Sequence, residues 1–493
     1  MRAQRNALLL VAAAALTVAP VGGVLAQKMS GRGGYTSSNA SRAPISQPPR
    51  QGGGDGGYHG GWHHGGFHGG GWGVPCIVVS VPHDDDVIDD APRRPARRAA
   101  ARRSSGAPPA NERRLLPDEV VIELANTLSP ARIDALQRRH RLTPVEQTRL
   151  QLSGTTLFRW RIPDRRSVTS VVRALERDVA VISAQPNYVF TLQQSEARPV
   201  AEDAAQYELA KLRLPQAHAI AKGDNVRVAV IDSGIDAANP ELAGSIAETF
   251  DTLTSPMQPH KHGTAVASLI AGHGKLTGSA PDARILAVRA FNPEGAGAQG
   301  TTFNILKGLD WAVAHNAQVI NMSFAGPNDP VLHRSLAAAH KKGVVLVAAA
   351  GNAGPKSPPL YPAADANVIA VTATDETDKL LPQANRGRYI ALAAPGAQIL
   401  VAIPDGYEVS SGTSYSAAEV SGIVALMLQH APDLSPDKVR HILLATAKDL
   451  GAKGHDPLFG AGLADAYGAL MAEKPPMASA SAPPAEPVNT GQR

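Results

Sequence analysis

The sequence predicts an α/β fold across residues 207–472, in which helices cover both faces of a mainly parallel, doubly wound sheet. The first observation is that short runs of Val, Ile and Leu are continuous rather than alternating, as strands buried on both faces require. The second is that helical stretches, such as residues 304–315 and 331–340, separate those runs. The predicted strands are residues 227–231, 285–288, 319–322, 344–347 and 368–371. Active sites of such folds gather at the carboxyl ends of the strands.

The first 26 residues have the composition of a cleavable export signal. Arg2 and Arg5 precede an apolar stretch over residues 7–21, and small residues up to Ala26 suit a signal peptidase. The stretch is short for a membrane span and contains Pro20, although an uncleaved anchor is the alternative. We therefore expect a secreted or periplasmic protein without a transmembrane segment once the signal is removed.

Residues 27–111 form a low-complexity spacer rich in Gly, His and Arg, which we expect to be disordered. Glycine at this density cannot hold a backbone order without a core, because its ordering entropy is too large. Four histidines of the tract are candidates for loose binding of a divalent metal, with a merely flexible spacer as the alternative: His59, His63, His64 and His68.

Two features of the spacer limit the classes of function. The arginine-rich run over residues 93–103 has no interleaved aromatic residues and belongs to no recognisable binding module, so we expect no nucleic-acid partner. Cys76 is the single cysteine among 493 residues, which excludes an intramolecular disulfide. Because 43% of the residues are hydrophobic, stability comes from a sizeable core instead.

Residues 112–193 predict a small α+β domain of ferredoxin-like type. Residues 120–124 and 156–162 have the pattern of strands, and residues 131–140 and 168–175 that of amphipathic helices. One or two further strands are expected over residues 179–192. A strand–helix–strand unit followed by a helix and a strand is an α+β sandwich. At the other end of the chain, residues 473–493 are rich in Pro, Ala and Ser and predict a flexible tail.

Three short motifs of the α/β region carry residues of catalytic type. Asp232 ends a buried strand and is followed by Ser233 and Gly234, which allow a tight turn. His262 precedes an apolar helix, and Ser414 begins a long helical stretch that continues to about residue 430.

These residue types together suit nucleophilic catalysis. A serine hydroxyl needs an adjacent base to become a nucleophile, and histidine has the right pKa for that base. A buried carboxylate then holds the imidazole in one tautomer and stabilises the imidazolium. A helix that begins at the serine adds its positive dipole end near the developing oxyanion. This chemistry needs neither a cofactor nor a metal, and we expect none in the site.

The order Asp232, His262, Ser414 and the local motifs resemble those of the subtilisin-like serine proteases, the subtilase family. Residues 348–354 are similar to the family segment whose asparagine, here Asn352, donates to the oxyanion. Residues 320–327 are similar to the strand that pairs with the substrate backbone. The resemblance implies a serine endopeptidase acting on polypeptides, with Ser323, Phe324, Ala325 and Gly326 as substrate-binding residues. Phe324 and Ala325 favour a primary pocket of apolar or broad specificity.

The segment 112–193 resembles the inhibitory propeptide of the same family, with residues 184–189 matching its closing stretch. This implies a zymogen that cleaves itself between residues 193 and 207, with the propeptide as an intramolecular inhibitor. The sequence does not identify the bond. An unrelated small domain is the alternative, because this fold carries many functions.

Some positions depart from the family pattern. Tyr415 stands where many members have methionine, and Glu419 stands where a histidine is common. The stretch 273–278 is shorter than the calcium-binding loop of well-known members, and Glu241 replaces an aspartate that can ligate the ion. We therefore predict no strong calcium site there.

A rival interpretation is a non-catalytic exported protein. In it the Gly/His tract binds a metal or a surface, and the protease-like domain is a scaffold. The complete set of Asp232, His262 and Ser414 argues against this, since a scaffold needs none of them. An α/β-hydrolase is also disfavoured, because the surroundings of Ser414 lack the Gly-x-Ser-x-Gly elbow.

Overall fold

The computed structural model describes residues 105–193, 198–199, 206–294 and 297–472. The predicted export signal, most of the spacer and the predicted tail lie outside these residues. Within the described part of the chain, no helix is long and apolar enough to cross a membrane.

The N-terminal portion folds as βαββαβ. Its sheet has the order β2-β3-β1-β4 with antiparallel neighbours, which is the ferredoxin-like arrangement. Its elements are β1 (Leu115–Ala125), α1 (Pro130–His140), β2 (Thr143–Leu150), β3 (Thr155–Arg161), α2 (Val168–Leu175) and β4 (Val181–Leu192). The helices cover one face, where Trp160 and the apolar side of α2 share a core with Ile122 and Leu124.

Two details of this portion differ from the sequence prediction. Strand β2 was not predicted, because the segment lacks an alternating apolar pattern. Leu150 is the one residue of this strand whose side chain is buried. The last one or two predicted strands are a single strand, β4, that runs for twelve residues. Its length matters, because its second half leaves the small sheet and joins strands of the larger domain.

The larger domain begins after a two-residue strand, β5 (Arg198–Pro199). Its strands are β6 (Arg227–Asp232), β7 (Ile246–Asp251), β8 (Arg284–Arg289), β9 (Phe291–Glu294), β10 (Gly297–Thr301), β11 (Val319–Met322), β12 (Phe324–Ala325), β13 (Val345–Ala349), β14 (Val368–Thr374), β15 (Leu392–Pro395), β16 (Ile399–Ile403) and β17 (Gly406–Ser410). Its helices are α3 (Tyr207–Lys211), α4 (Leu214–His218), α5 (Lys261–Ala271), α6 (Thr302–Ala314), α7 (Pro330–Lys341), α8 (Thr413–His430), α9 (Pro436–Thr446) and α10 (Ala466–Ala472), with a 3-10 turn at Pro240–Leu242.

The central sheet of this domain is parallel and covered on both faces. Its strand order is β15-β14-β13-β11-β6-β8-β7, and every neighbouring pair is parallel. Along β6, Val228 and Val230 pack in the core that contains α5 and α8, whereas Ala229 and Ile231 pack in the core that contains α6 and α7. Successive side chains therefore enter two different cores, which is the doubly wound fold that the continuous apolar runs predicted.

Candidate active site

Asp232 and His262 form a buried hydrogen-bonded pair at the carboxyl end of β6. Both oxygens of Asp232 lie within hydrogen-bonding distance of His262 Nδ1, at 2.8 and 2.9 Å, and both side chains are fully buried. The Ser233 backbone N–H also donates to Asp232 Oδ1 at 2.7 Å. His262 lies inside the first turn of α5 rather than before the helix.

Glycine is required where these two elements meet. A Cβ on Gly263 would lie 2.3 Å from the carbonyl oxygen of Gly234, closer than any side chain tolerates. Gly234 itself has a φ of 108°, a conformation that favours glycine. The two glycines next to the acid and the base therefore allow α5 to approach β6 closely enough for the hydrogen bond between Asp232 and His262.

Ser414 lies in the first turn of α8, and its hydroxyl contacts the end of β4. Ser414 Oγ lies 2.5 Å from the carbonyl oxygen of Gln193 and 3.1 Å from that of Ser323. His262 Nε2 is buried and has no hydrogen-bond partner within the described residues. The hydroxyl thus donates to backbone carbonyls while the imidazole keeps an unused nitrogen, an arrangement with the cleft occupied by the chain's own backbone.

Asn352 lies between Ser414's helix and Gln193. Its Oδ1 accepts from the backbone N–H and the hydroxyl of Thr413, at 3.2 and 2.9 Å. Its backbone N–H donates to the side-chain oxygen of Gln193 at 2.8 Å. Asn352 Nδ2 is buried without a hydrogen-bond partner among the described residues. An unpaired buried donor is costly, and this one lies beside the start of α8, next to the residue that precedes Ser414.

The four predicted substrate-binding residues lie beside residues 190–193, which are the end of β4 and the residue after it; the course of this segment is called the track of β4. Phe324 pairs with Leu192 and Ala325 with Thr191 in an antiparallel register. The Ser323 carbonyl accepts from the N–H of Gln193 at 3.3 Å. On the other side, β10 pairs with β4, with Gly300 opposite Phe190. The end of β4 is therefore an extended strand held between two strands of the larger domain.

Phe190 fills an apolar site along this track. Its side chain is fully buried and meets the Phe324 ring edge-on, with 5.9 Å between centroids. Gly326 forms the floor of the site, because a Cβ there would lie 2.2 Å from the Phe190 ring. A large aromatic side chain thus occupies this site only because residue 326 has none.

The sequence reasoning missed three residues of the site. Gln193 appeared only as a segment boundary, since nothing about a polar residue marks it as the occupant of a catalytic cleft. Ser233 Oγ lies 3.0 Å from Asp232 Oδ1 and 2.7 Å from His260 Nδ1, which links His260 to the acid. Burial lowers the pKa of His260. The spacing of His260, two residues before His262, was the available signal.

A pair of buried acids lies behind the active-site helix. Glu208 of α3 and Glu419 of α8 are both buried, and Ser279 Oγ donates to Glu419. Glu208 Oε1 accepts from Gln206 Nε2 at 3.1 Å, whereas Oε2 has no partner among the described residues. Burial raises the pKa of Glu208 to about 7, and burial together with the charge of Glu208 raises the pKa of Glu419.

Glu241, the residue that the sequence reasoning placed at a lost calcium loop, is bound to protein donors. Its carboxylate accepts from the backbone N–H groups of Lys275 and Leu276, at 3.0 and 2.9 Å, and from the Tyr407 hydroxyl at 2.5 Å. Donors of this kind occupy the positions that a cation would need. Among the residues that the structure describes, no group of three or more His, Cys, Asp or Glu side chains could hold a metal ion.

Comparison with known proteins shows the family of this chain. The model of the subtilase family matches residues 223–462. Thermitase of Thermoactinomyces vulgaris is 33% identical over 258 residues, which cover 50% of this chain and 90% of thermitase. Subtilisin E of Bacillus subtilis (strain 168) is 33% identical over 287 residues, covering 56% of this chain and 74% of that protein.

Two further proteins are similar to this chain over a smaller share of their own length. The minor extracellular protease Epr of Bacillus subtilis (strain 168) is 33% identical over 307 residues, which are 59% of this chain but 47% of Epr, so the chain spans about half of that protein. The crystal structure of fervidolysin from Fervidobacterium pennivorans, described as a keratinolytic enzyme related to subtilisin, superimposes with a TM-score of 0.63 at 23% identity. That match covers 74% of this chain and 62% of the fervidolysin chain, and it indicates a shared fold.

Proposed function

This chain belongs to the subtilase family and contains a serine endopeptidase domain, and from that premise we propose that Asp232, His262 and Ser414 hydrolyse peptide bonds through an acyl-enzyme. His262 Nε2 takes the proton of Ser414 Oγ as the hydroxyl oxygen attacks the carbonyl carbon. Asp232 holds His262 through Nδ1 and stabilises the imidazolium. The protonated imidazole then gives its proton to the leaving amine, and water hydrolyses the acyl-enzyme. The observation that carries the proposal is the buried 2.8 Å contact between Asp232 and His262. Ser414 lies at the start of α8, where the ring of the next residue, Tyr415, is 6.2 Å from that of His262.

The oxyanion of the tetrahedral intermediate is held by Asn352 Nδ2 and the backbone N–H of Ser414. The support is that Asn352 Nδ2 is buried and unpaired while its Oδ1 is fixed by Thr413. Preorganised donors of this kind stabilise charge that forms in the transition state without reorganisation during the reaction.

Substrate binds as an extended strand between β10 and β12, in the track that residues 189–193 occupy. Residue 193 then supplies the carbonyl that Ser414 attacks, and residue 190 supplies the side chain for the site beside Phe324 and Gly326. The support is the antiparallel register of β4 with both strands. Because the polar side chain of Gln193 lies next to Ser414, we favour a primary pocket of broad rather than strictly apolar preference.

Residues 112–193 act as an intramolecular inhibitory propeptide, and the enzyme cuts its own Gln193–Gln194 bond. The 2.5 Å contact of Ser414 Oγ with the Gln193 carbonyl supports this choice of bond.

Further support comes from the surface that the propeptide covers. Gln185 Oε1 accepts from the Val331 N–H at the start of α7, at 3.1 Å, and its Nε2 donates to Asp329 Oδ1 at 2.6 Å. Asn187 Oδ1 accepts from the Phe303 N–H at the start of α6, at 3.2 Å. Asn187 thereby satisfies a donor at the N-terminus of α6 that has no intrahelical partner. At α7, Gln185 shares the Val331 N–H with the N-cap residue Asp329, whose Oδ1 lies 3.0 Å from that nitrogen.

We further propose export of the precursor, with residues 1–26 as a signal peptide. The support is the composition of those residues and the similarity to a protease named as extracellular.

Hydrolysis of casein tests the endopeptidase proposal. We expect the wild type to release peptides and to be blocked by a serine-directed phosphonate that labels Ser414. The Ser414→Ala variant should be inactive, whereas Ser416→Ala, which changes a serine on the same helix that donates to the Ala394 carbonyl, should keep activity. A folded wild type that neither cuts casein nor takes the label would favour the scaffold interpretation.

A further inference from the structure

The segment that follows the propeptide adds a strand to the edge of β17. Strands β16 and β17 form an antiparallel hairpin, and β5 pairs with the other edge of β17. In that pairing Arg198 lies opposite Val409, and Pro199 lies opposite Glu408. One edge of β17 is thus paired within the hairpin, and the other edge is paired with an extended segment from outside it, β5.

The pairing of β5 with β17 lies close in sequence to the contact between Gln193 and Ser414. Strand β17 runs from Gly406 to Ser410 and leads directly to Ser414 at the start of α8. Val409 and Ser414 are five positions apart in the sequence, and so are Gln193 and Arg198. The two chain segments therefore have equal lengths between the Arg198–Val409 pair and the contact of Gln193 with Ser414.

We infer that β17 is a binding strand for the part of a protein substrate that follows the scissile bond, extending to the fifth and sixth residues beyond it. This inference rests on the proposed peptidase function and on cleavage after Gln193. The partner is an extended polypeptide, recognised through its backbone rather than through particular side chains. In the precursor the occupant is the chain's own Arg198–Pro199 segment.

The same pairing makes the mature N-terminus a competitor for this edge. After cleavage, residues 194–205 stay covalently attached to Gln206, whose side chain exchanges hydrogen bonds with the backbone of Thr277. The Arg198–Pro199 segment then competes intramolecularly with any substrate for β17, because tethering gives it a high effective concentration.

The position of Pro199 indicates which residues of the bound strand donate backbone hydrogen bonds to β17. Successive residues of a strand point their N–H groups to opposite edges. Proline has no N–H, and an edge strand tolerates it where the N–H would face away from the ladder. Because the chain itself has Pro199 at the sixth position, we expect the fifth residue to donate to β17 and the sixth to tolerate proline.

The test uses peptides copied from the chain and two forms of the full-length, self-processed enzyme. The short peptide is residues 188–196, and the long peptide is residues 188–200, so both share the cleaved bond. A third peptide is the long peptide with the fifth and sixth residues after the cleaved bond exchanged, that is, with Arg198→Pro and Pro199→Arg. The second enzyme has residues 196–203 replaced by a Gly/Ser segment of equal length, which is a poor strand former.

We expect the long peptide to be cut with about tenfold higher kcat/KM than the short one by the Gly/Ser enzyme, the effect of one or two backbone hydrogen bonds. The gain should be smaller with the wild-type tail and absent for the exchanged peptide. Equal kcat/KM for the short and long peptides in both enzymes, or a full gain for the exchanged peptide, overturns the role of β17. Failure of both enzymes to cut even the short peptide instead counts against the proposed peptidase function.

Discussion

The carbonyl oxygen of Gln193 lies 2.5 Å from Oγ of Ser414, although the two residues are 221 positions apart in the sequence. This contact joins the end of the small domain to the start of the active-site helix. It also explains why Ser414 Oγ does not use His262, whose Nε2 has no hydrogen-bond partner among the described residues.

Replacing Asn352 by alanine should lower kcat by about two to three powers of ten with little change in KM, because the lost donor acts on the transition state. Steady-state kinetics on a chromogenic peptide measures both constants. Asn367→Ala is the matched control, since that asparagine is half-buried and its side chain donates to Asp365 outside the cleft. A near-normal kcat for Asn352→Ala would refute the oxyanion role.

A methyl group on Gly326 should narrow the site of Phe190. Because the added carbon would lie 2.2 Å from that ring, Gly326→Ala should reduce kcat/KM about 10- to 100-fold for peptides with Phe four residues before the cut, counting the scissile residue as the first. Peptides with Ala at that position are the control and should be cut as before. In the precursor, adding Phe190→Ala to Gly326→Ala should speed self-processing again. Equal losses for Phe and Ala peptides would contradict the assignment of this site.

The buried acids Glu208 and Glu419 should make the protein less stable as pH rises. The pKa of Glu208 is about 7 in the folded state, above the 4.5 of an ordinary glutamate, so the folded state retains a proton that the unfolded state releases. Its contribution is present below pH 4.5 and is lost as pH rises through 7. In a Ser414→Ala background, the free energy of unfolding should therefore fall less between pH 5 and pH 8 for the Glu208→Gln variant than for its parent. The two losses should differ by about 1–3 kcal/mol.

Denaturant unfolding at the two pH values measures this difference, with Glu376→Gln as a control because Glu376 is exposed. A Glu208→Gln variant that loses as much stability between pH 5 and pH 8 as its parent would show that the acid pair is not the cause.

The loop around Glu241 should bind calcium weakly or not at all. Its carboxylate is buried and accepts hydrogen bonds from Lys275, Leu276 and Tyr407, which a calcium ion would have to displace. Calorimetric titration of the Ser414→Ala precursor should detect no strong binding at this loop. Tight binding of one equivalent that Glu241→Gln abolishes would contradict this prediction.

The sequence allowed the doubly wound fold to be predicted because its strands are continuous apolar runs, such as residues 227–231, whose alternate side chains enter two cores. Strand β2 escaped prediction because it covers little apolar surface, and only Leu150 at its end is buried. Asp232, His262 and Ser414 were identifiable from residue type and local motif. Their mutual geometry, however, depends on long-range packing that no local pattern records.

The sequence did not predict that Gln193 occupies the cleft, because the contacts of this residue also depend on long-range packing. The backbone of Gln193 contacts Ser323 and Ser414, which any residue type allows, and its side-chain oxygen accepts from the Asn352 N–H, which lies far away in the sequence. The pairing of Arg198 with Val409 is likewise a matter of strand register. Such contacts depend on where the backbone runs rather than on which side chains it carries.

The most direct test of the account is the intact mass of the precursor, expressed without residues 1–26, as wild type and as Ser414→Ala. We predict that the wild type splits over time into one fragment that ends at Gln193 and one that begins at Gln194, while folded Ser414→Ala stays whole. If both proteins stay whole while folded, the enzyme does not cut itself; if both split at that bond, Ser414 is not the nucleophile that cuts it. Either result contradicts the central claim.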